Sequence, residues 1–351
     1  ALSALAMTLS MGFGSSITAN DLGLDRVHFL IPAGPGGGWD GTARGVGLAL
    51  SQTQLVSNIT YENAAGGGGG RAIAKLIETA ERQQNTLLIS STPIIVRALQ
   101  GVFPQSFRDL VPVAAMIADY SCFAVRADSE IQNFSDLAKR YKADPRSLVV
   151  AGGSVRGNTD HFVLAKALQL TGADPKELVY LAYDGGGKAA AGLLSGETQV
   201  LSTGLSEALQ MHQAGLLRII AVTAPTPIPH LPDLPLLNAQ GIDLVFANWR
   251  GFFAAKGLED AQYARMRYTL RTVSETAVFE GIRLRNGWAE NYIEGDAFYA
   301  FLTQQEEQIR SLIEKHRVTR LPVHGEDLDD TELCKLIPVL RHTQLILFRH
   351  L

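Results

Sequence analysis

Cysteine, clustered histidine and excess positive charge are what this chain has least of. Cys122 and Cys334 are its two cysteines among 351 residues. They lie far apart without CxxC-type spacing, so neither a zinc site nor a disulfide framework is expected. The eight histidines are scattered, and no HExxH or Cys/His cluster offers ligands for a metal. Lysine and arginine number 31 against 35 acidic residues, a formal net charge of -4. With no basic stripe, a nucleic-acid partner has no electrostatic support. The N-terminal apolar run, Ala1 to Phe13, falls short of the roughly 20 residues that a membrane span needs.

What is present describes a well-packed globular protein: 46% hydrophobic and 19% charged residues. The length suits two domains, or one large one. Residues 1–20 carry no charge, and Gly14, Ser15, Ser16, Ile17, Thr18 and Ala19 follow the apolar run. This resembles the apolar core and cleavage region of a secretory signal, so residues 1–24 are read as a leader remnant that directs export to the periplasm, with cleavage near Ala19. A disordered N-terminus is the alternative.

The most informative stretch is Val27 to Arg44, VHFLIPAGPGGGWDGTAR. It reads as a buried strand, a glycine turn and the first turn of a helix. Gly34, Gly36, Gly37 and Gly38 remove the Cβ atoms that would keep a ligand from the backbone, and Asp40 is a candidate N-cap. A helix start after such a turn aims unpaired N–H groups and the positive end of the helix dipole at one spot, which favours an anion. An ordinary strand-to-helix turn would read the same way.

The pattern recurs. Asn58 to Asn63 runs into Gly66 to Gly70 and a helix, and Thr86 to Ser90 runs into Ser91, Thr92, Pro93 and another helix. Three strand–loop–helix units imply a parallel sheet with helices on its faces, and ligands in such sheets sit beyond the carboxyl ends of the strands. Val111–Met116 and Ser121–Val125 are read as two strands and Phe134–Tyr141 as a short helix. A second βα series then follows: Leu148–Ala151 with the loop Gly152 to Asp160, Val179–Tyr183 with Asp184 to Gly187, Val200–Ser202, and Leu217–Thr223. Five prolines within residues 225–235 predict an extended connector and a crossover between domains. Helices are expected over Glu259–Arg271, Ser274–Arg285 and about Asp296–His316. The last carries Phe298, Phe301, Leu302, Gln305, Ile309, Leu312 and Ile313 at helical spacing, a core stripe.

Two enzyme readings compete. Gly36, Gly38 and Gly41 match a dinucleotide fingerprint, and Glu62 could serve as its ribose-binding acid for an NAD(P)-dependent oxidoreductase. Against it stand the export signal and four further polar or glycine loops of the same kind. Ser154, Asp160 and His161 suggest a hydrolase, but the second glycine of a nucleophile elbow is missing, and residues so close in sequence rarely form a triad. Asp40 and Asp184 sit beside glycine turns, where helix capping competes with ligand contact. Arg156 and Arg250 could each grip a carboxylate, or simply meet solvent or an internal partner. Several anion-receptive helix starts remain, without a catalytic constellation. One start contributes about 0.3 to 2 kcal/mol to a carboxylate, and hydrogen bonds to charged groups roughly 1.5 to 3 kcal/mol each. Together they can reach the 8 kcal/mol or so of micromolar affinity after association costs.

The segments IPAGPGGGWDGTAR, YENAAGGGGG, GGSVRGNTDH, YDGGGKAAAGLLSGE, IIAVTAP with LPDLP, and NWRGFF with RNGW, spread in order over residues 25–318, resemble extracytoplasmic solute-binding proteins of the tripartite tricarboxylate transporter family, the TctC or Bug type. The resemblance implies a type II periplasmic-binding-protein fold: two doubly wound α/β domains, residues 25–122 with 236–318 and residues 123–235, enclosing a ligand cleft. It implies no cofactor, no metal and no catalysis, but a monomeric receptor that closes on a small carboxylate and docks on a membrane permease. The ligand residues it implies are Gly36, Gly37, Gly38, Asp40, Ser90, Ser91, Thr92, Ser154, Gly157, Thr159, His161, Gly186 and Gly187, with Trp39, Arg156 and Asp184 as further candidates. Trp39, NWRGFF and RNGW resemble tricarboxylate-type members, pointing to citrate or a related acid, with a dicarboxylate as the alternative. A sensor of the same fold that docks on a signalling partner would share these features. Residues 319–351, with an acidic run from Glu326 to Glu332, extend past the usual end of the family.

Overall fold

The computed structural model describes residues 23–315. The expected leader, apart from Gly23 and Leu24, and the extension 319–351 with Cys334 lie outside the described residues. In chain order the elements are β1 (Arg26–Ile31), α1 (Gly38–Gln52), β2 (Asn58–Asn63), α2 (Gly70–Glu78), β3 (Thr86–Ser91), α3 (Pro93–Leu99) and β4 (Leu110–Arg126). There follow α4 (Phe134–Ala143), β5 (Val149–Gly152), α5 (Thr159–Leu170), β6 (Val179–Ala182), α6 (Gly186–Leu194), β7 (Val200–Gly204), α7 (Leu205–Gln213) and β8 (Leu217–Val222). The chain continues through β9 (Ala247–Ala255), α8 (Asp260–Ser274), α9 (Ala277–Arg285), β10 (Ala289–Glu294) and α10 (Gly295–Lys315).

The strands form one curled mixed sheet in the order β2-β1-β3-β9-β4-β7-β5-β6, with β8 and β10 also paired to β4. β1 pairs in parallel with β2 and β3, and β5 in parallel with β6 and β7. These are the two βα series of the sequence. The joint between them is β4. Where two strands were expected, the chain runs unbroken for 17 residues. Its first part, to Tyr120, pairs antiparallel with β9, and its last part, from Ser121, with β7 and β8. All but two of its residues are buried, so the polar residues Asp119 and Ser121 interrupt the apolar run without ending the strand. Pro112 is accommodated at a register shift against β9.

Each half is covered on both faces. Alternation sends Phe29 and Ile31 to one face, into a core with α1, α8 and α9, and Leu30 to the other, with residues of α2, α3 and α10. In the second half, Val150 faces α4 and α5, and Ala151 faces α6 and α7. The α10 stripe is core: Phe298, Leu302 and Ile309 are buried, and Gln305 accepts a hydrogen bond from Trp249 Nε1 at 2.9 Å. Leu312 and Ile313 lie beyond the described side chains.

The proline-rich stretch is a connector that stays with the second half, where Ile228 and Leu234 are buried against α7 and β8 residues. Leu237, Ile242, Leu244 and Phe246, expected with the first half, also pack in the core of the second, and Phe246 N donates to Thr223 O at 3.0 Å. The chain rejoins the first half's sheet at β9. β9 and β10 had no strand expectation; β9 is central and almost wholly buried. Among the described residues no helix is long and apolar enough to cross a membrane.

Candidate functional site

The carboxyl ends of β1 and β3 in one half and of β5, β6 and β7 in the other open onto a single cavity of about 430 Å³. That size is typical of small-molecule sites. From the first half it is lined by Gly37, Gly38, Trp39, Ser91 and Arg97, with the glycines 66–69; from the second by Ser154, Asn158, Thr159, Asp184 and Gly185. Its floor is Asp119, Ser121, Asn248 and Arg250, supplied by the two strands that pass between the halves.

The β1–α1 loop is held by Asp40, but not as the expected N-cap. Gly37 occupies the cap, with no side-chain cap bond. Asp40 lies in the first turn of α1, is 4% exposed, and accepts hydrogen bonds from Gly36 N at 2.9 Å, Arg44 Nε at 2.9 Å and Asn63 Nδ2 at 2.9 Å. Burial would raise its carboxyl, but the bonds from Arg44, Gly36 and Asn63 prevail and hold it below its ordinary range. The side chain clamps the loop and does not reach the cavity wall. Trp39 does, and its Nε1 donates to Ser91 Oγ at 3.0 Å. Ser90 and Thr92 are buried beside Ser91, away from the lining.

In the second half, Ser154 Oγ donates to Asp160 Oδ2 at 2.8 Å, and Tyr180 Oη donates to Ser154 O at 2.7 Å. Gly157 takes the left-handed conformation with φ +79 that turns this loop, outside the lining. Burial, then the charge of Glu207, pushes the Asp160 carboxyl up to about 7. His161 lies beneath the loop, 1% exposed and edge-on to Tyr180 at 4.9 Å. Burial, reinforced by Arg156, lowers it to about 4, so it is neutral at physiological pH. It supports the loop and stays off the lining, as do Gly186, Gly187 and Arg156. Gly186 N donates to Glu207 Oε1 at 3.3 Å. Asp184 lines the mouth and pairs with Lys188 at 3.5 Å.

The two glycine loops touch across the cavity. A Cβ on Gly187 would lie 3.3 Å from Gly36 O, and one on Gly185 3.3 Å from Gly37 Cα. Side chains here would prop the halves apart.

The floor is a buried ion pair that reading the sequence only half found. Arg250 was a candidate; its partner Asp119, 2.7 Å away, was not. Arg250 Nη1 also donates to Gly38 O and Thr42 Oγ1, both at 3.0 Å, so the guanidinium ties β9 to the start of α1. Its Nε is buried without a hydrogen-bond partner among the described residues. Burial raises Asp119, opposed by Arg250 and Ser206. Glu207 completes the acidic side, accepting from Thr203 Oγ1 at 2.6 Å and Gly204 N at 3.2 Å. Asp119 and Arg97 carried one available signal each, a lone charge inside an apolar run; Glu207 carried none.

Of the three tryptophans in the tricarboxylate-like segments, Trp39 lines the cavity and the other two are core. Trp249 is wholly buried against Phe298 and Phe301, and Trp288 fills the space beside Gly45. Glu62, the acid of the dinucleotide reading, is bound by Lys75 Nζ at 2.7 Å and faces His28, off the cavity lining. Gly41 also lies off the lining, so the fingerprint glycines and the acid do not assemble around one ligand position.

Comparison with known proteins adds family to geometry. A Pseudomonas sp. protein, the UPF0065 protein in the tcbD-tcbE intergenic region, is 28% identical over 285 residues, covering 80% of this chain and 82% of that protein. A Rhodopseudomonas palustris protein solved with adipate superposes with a TM-score of 0.71 at 21% identity, covering 83% of this chain and 95% of that one. MatC from the same organism, solved with bound malate, gives 0.67 at 17% identity over 90% and 99%. The Tripartite tricarboxylate transporter family receptor model matches residues 42–318. The chain belongs to that family, TctC, whose members are periplasmic solute-binding receptors and not enzymes.

Proposed function

We propose that the protein is a periplasmic receptor that captures a small di- or tricarboxylate between its two lobes and delivers it to the permease of a tripartite tricarboxylate transporter. The observation that carries this reading is the convergence of three helix starts without side-chain caps, those of α1, α5 and α6, on one cavity. Their dipoles favour carboxylate oxygens, and the α1 start offers its amides as well, whereas Asp160 N of α5 donates to Ser154 Oγ at 3.4 Å and Gly186 N of α6 to Glu207 Oε1 at 3.3 Å. Gly37, Gly38, Ser91, Ser154, Thr159 and Gly185 form the ligand-facing shell in this reading, and Gly36, off the lining with its N–H bonded to Asp40, shapes the turn behind them. Asp40, Gly157 and His161 hold the loops behind it, with Ser90, Thr92, Gly186 and Gly187 adjoining.

The lobes are residues 25–122 with the chain from β9 onward, and residues 123–246. Ligand favours the closed state because it bridges them, and closure presents the surface that the permease reads. Citrate suits the site's several anion-receptive starts; the malate and adipate of the solved relatives support a dicarboxylate equally. The protein works as a monomer, and residues 1–24 act as its export signal.

The test is a thermal-melt and calorimetric screen of the secreted chain against citrate, tricarballylate, malate, succinate, adipate, NAD and NADP. A ligand at 100 times its Kd stabilises by about 2.7 kcal/mol, a shift of a few degrees for a chain of this size. Shifts with carboxylates alone are expected. A shift with nucleotides alone overturns the reading.

A further inference from the structure

Charge accounting in the cavity leaves one side chain over. Asp119 and Arg250 pair with each other, Asp184 with Lys188, Asp160 accepts from Ser154, and Glu207 accepts from Thr203 and Gly204. Arg97, on α3, lines the same cavity and is half-buried, yet its side chain makes no hydrogen bond or ion pair among the described residues. Its guanidinium lies against the bare backbone of Gly68. A Cβ there would meet Arg97 Cζ, Nε and Nη1 at 3.1 to 3.2 Å, and Gly68 holds φ +62, a conformation that favours glycine. The glycine loop therefore makes room for a guanidinium at the end of the cavity that also holds Trp39.

A half-buried positive charge without a counter-ion is costly, and burial lowers the pKa of Arg97. Arginine nonetheless stays protonated, and it presents a fork of donors shaped for a carboxylate. We propose that Arg97 is a direct carboxylate anchor, and that the ligand carries at least two carboxylates: one gripped by Arg97 beside Gly68, the other held by the helix starts of α1 and α5. This rests on the receptor reading above and narrows it from backbone capture of any small acid to a dianion or trianion with a dedicated arginine.

The experiment measures calorimetric affinities of the wild type, Arg97→Gln and Arg97→Lys for citrate, malate, succinate and adipate, and for the monoamide of whichever binds most tightly. Hydrogen bonds to charged groups are worth enough that R97Q should weaken binding of the tightest acid by roughly 10- to 100-fold. R97K, which keeps the charge but loses the fork, should fall between. The monoamide of a dicarboxylate can give its one carboxylate to Arg97 or to the helix starts but not to both, so it should bind wild type at least 10-fold more weakly than the diacid does. The unliganded R97Q protein should melt at the wild-type temperature or above it, since an uncompensated charge is gone; a structural arginine would give the opposite shift. R97Q binding the diacid as tightly as wild type overturns the anchor and leaves the receptor reading intact. Wild type binding none of these acids overturns both.

Discussion

Asp160 should make stability fall as pH rises, the reverse of the usual carboxylate behaviour. An unfolded aspartate loses its proton near 3.8, whereas Asp160 in the fold keeps its proton to about 7. Between those values the native state binds one more proton than the unfolded state, so stability declines across pH 4 to 7 and stays low above it. The full difference corresponds to about 4 kcal/mol. Asp160 keeps part of its surface toward the cavity, where water screens the charge, and we expect on the order of 2 kcal/mol. Asp160→Asn mimics the protonated acid, and its side-chain oxygen can accept from Ser154 Oγ and Gly153 N as the carboxyl does. Thermal melts of both proteins at pH 4, 6 and 8 should coincide at the acid end, with D160N melting a few degrees higher at pH 8. Carboxylate affinity of the wild type should weaken above pH 7, because the ionised acid faces the bound anion, while that of D160N should not. Parallel pH slopes in the two proteins would refute the reasoning.

Three further outcomes follow from the same contacts. Gly187→Leu puts a side chain where even a Cβ lies 3.3 Å from Gly36 O; by opposing closure it should raise Kd tenfold or more, and small-angle scattering should show the liganded variant more open. Gly38→Ala places a Cβ 2.6 Å from Arg250 Cζ, so either the Arg250–Asp119 pair or the start of α1 must shift. That should cost about 3 kcal/mol, read by chemical denaturation, as breaking a buried ion pair does. Trp249→Ala removes a buried ring and its bond to Gln305, and should lower stability by about 3 to 5 kcal/mol in the same assay.

The repeated glycine turns after short apolar runs were enough to read two βα series, helices on both sheet faces and helices that start at glycine turns. Those features depend on residues adjacent in sequence: strand period, helix period, turn chemistry. The family was legible for the same reason, since its motifs are the local turns themselves. Equally local, and wrong in detail, was the role of Asp40. A helix-start aspartate looks like a cap until its i+4 neighbour Arg44 pairs with it and the fold brings Asn63 from β2, making it a loop clamp. His161 likewise belongs beneath its loop because Tyr180, from the next strand, covers it.

Tertiary structure alone decided the rest. β4 reads as two strands because Asp119 and Ser121 interrupt its apolar run, yet it stays whole because β9 takes its first part while β7 and β8 take its last. The Arg250–Asp119 pair joins positions 131 residues apart in the chain, and the glycine contacts across the cavity join two separate halves. That the Arg97 guanidinium lacks a partner among the described residues shows only once the other charges of the cavity have been placed. Such long-range pairings are set by sheet order and register, which no short stretch of sequence encodes, whereas the turns that build each wall are set by a few neighbouring residues.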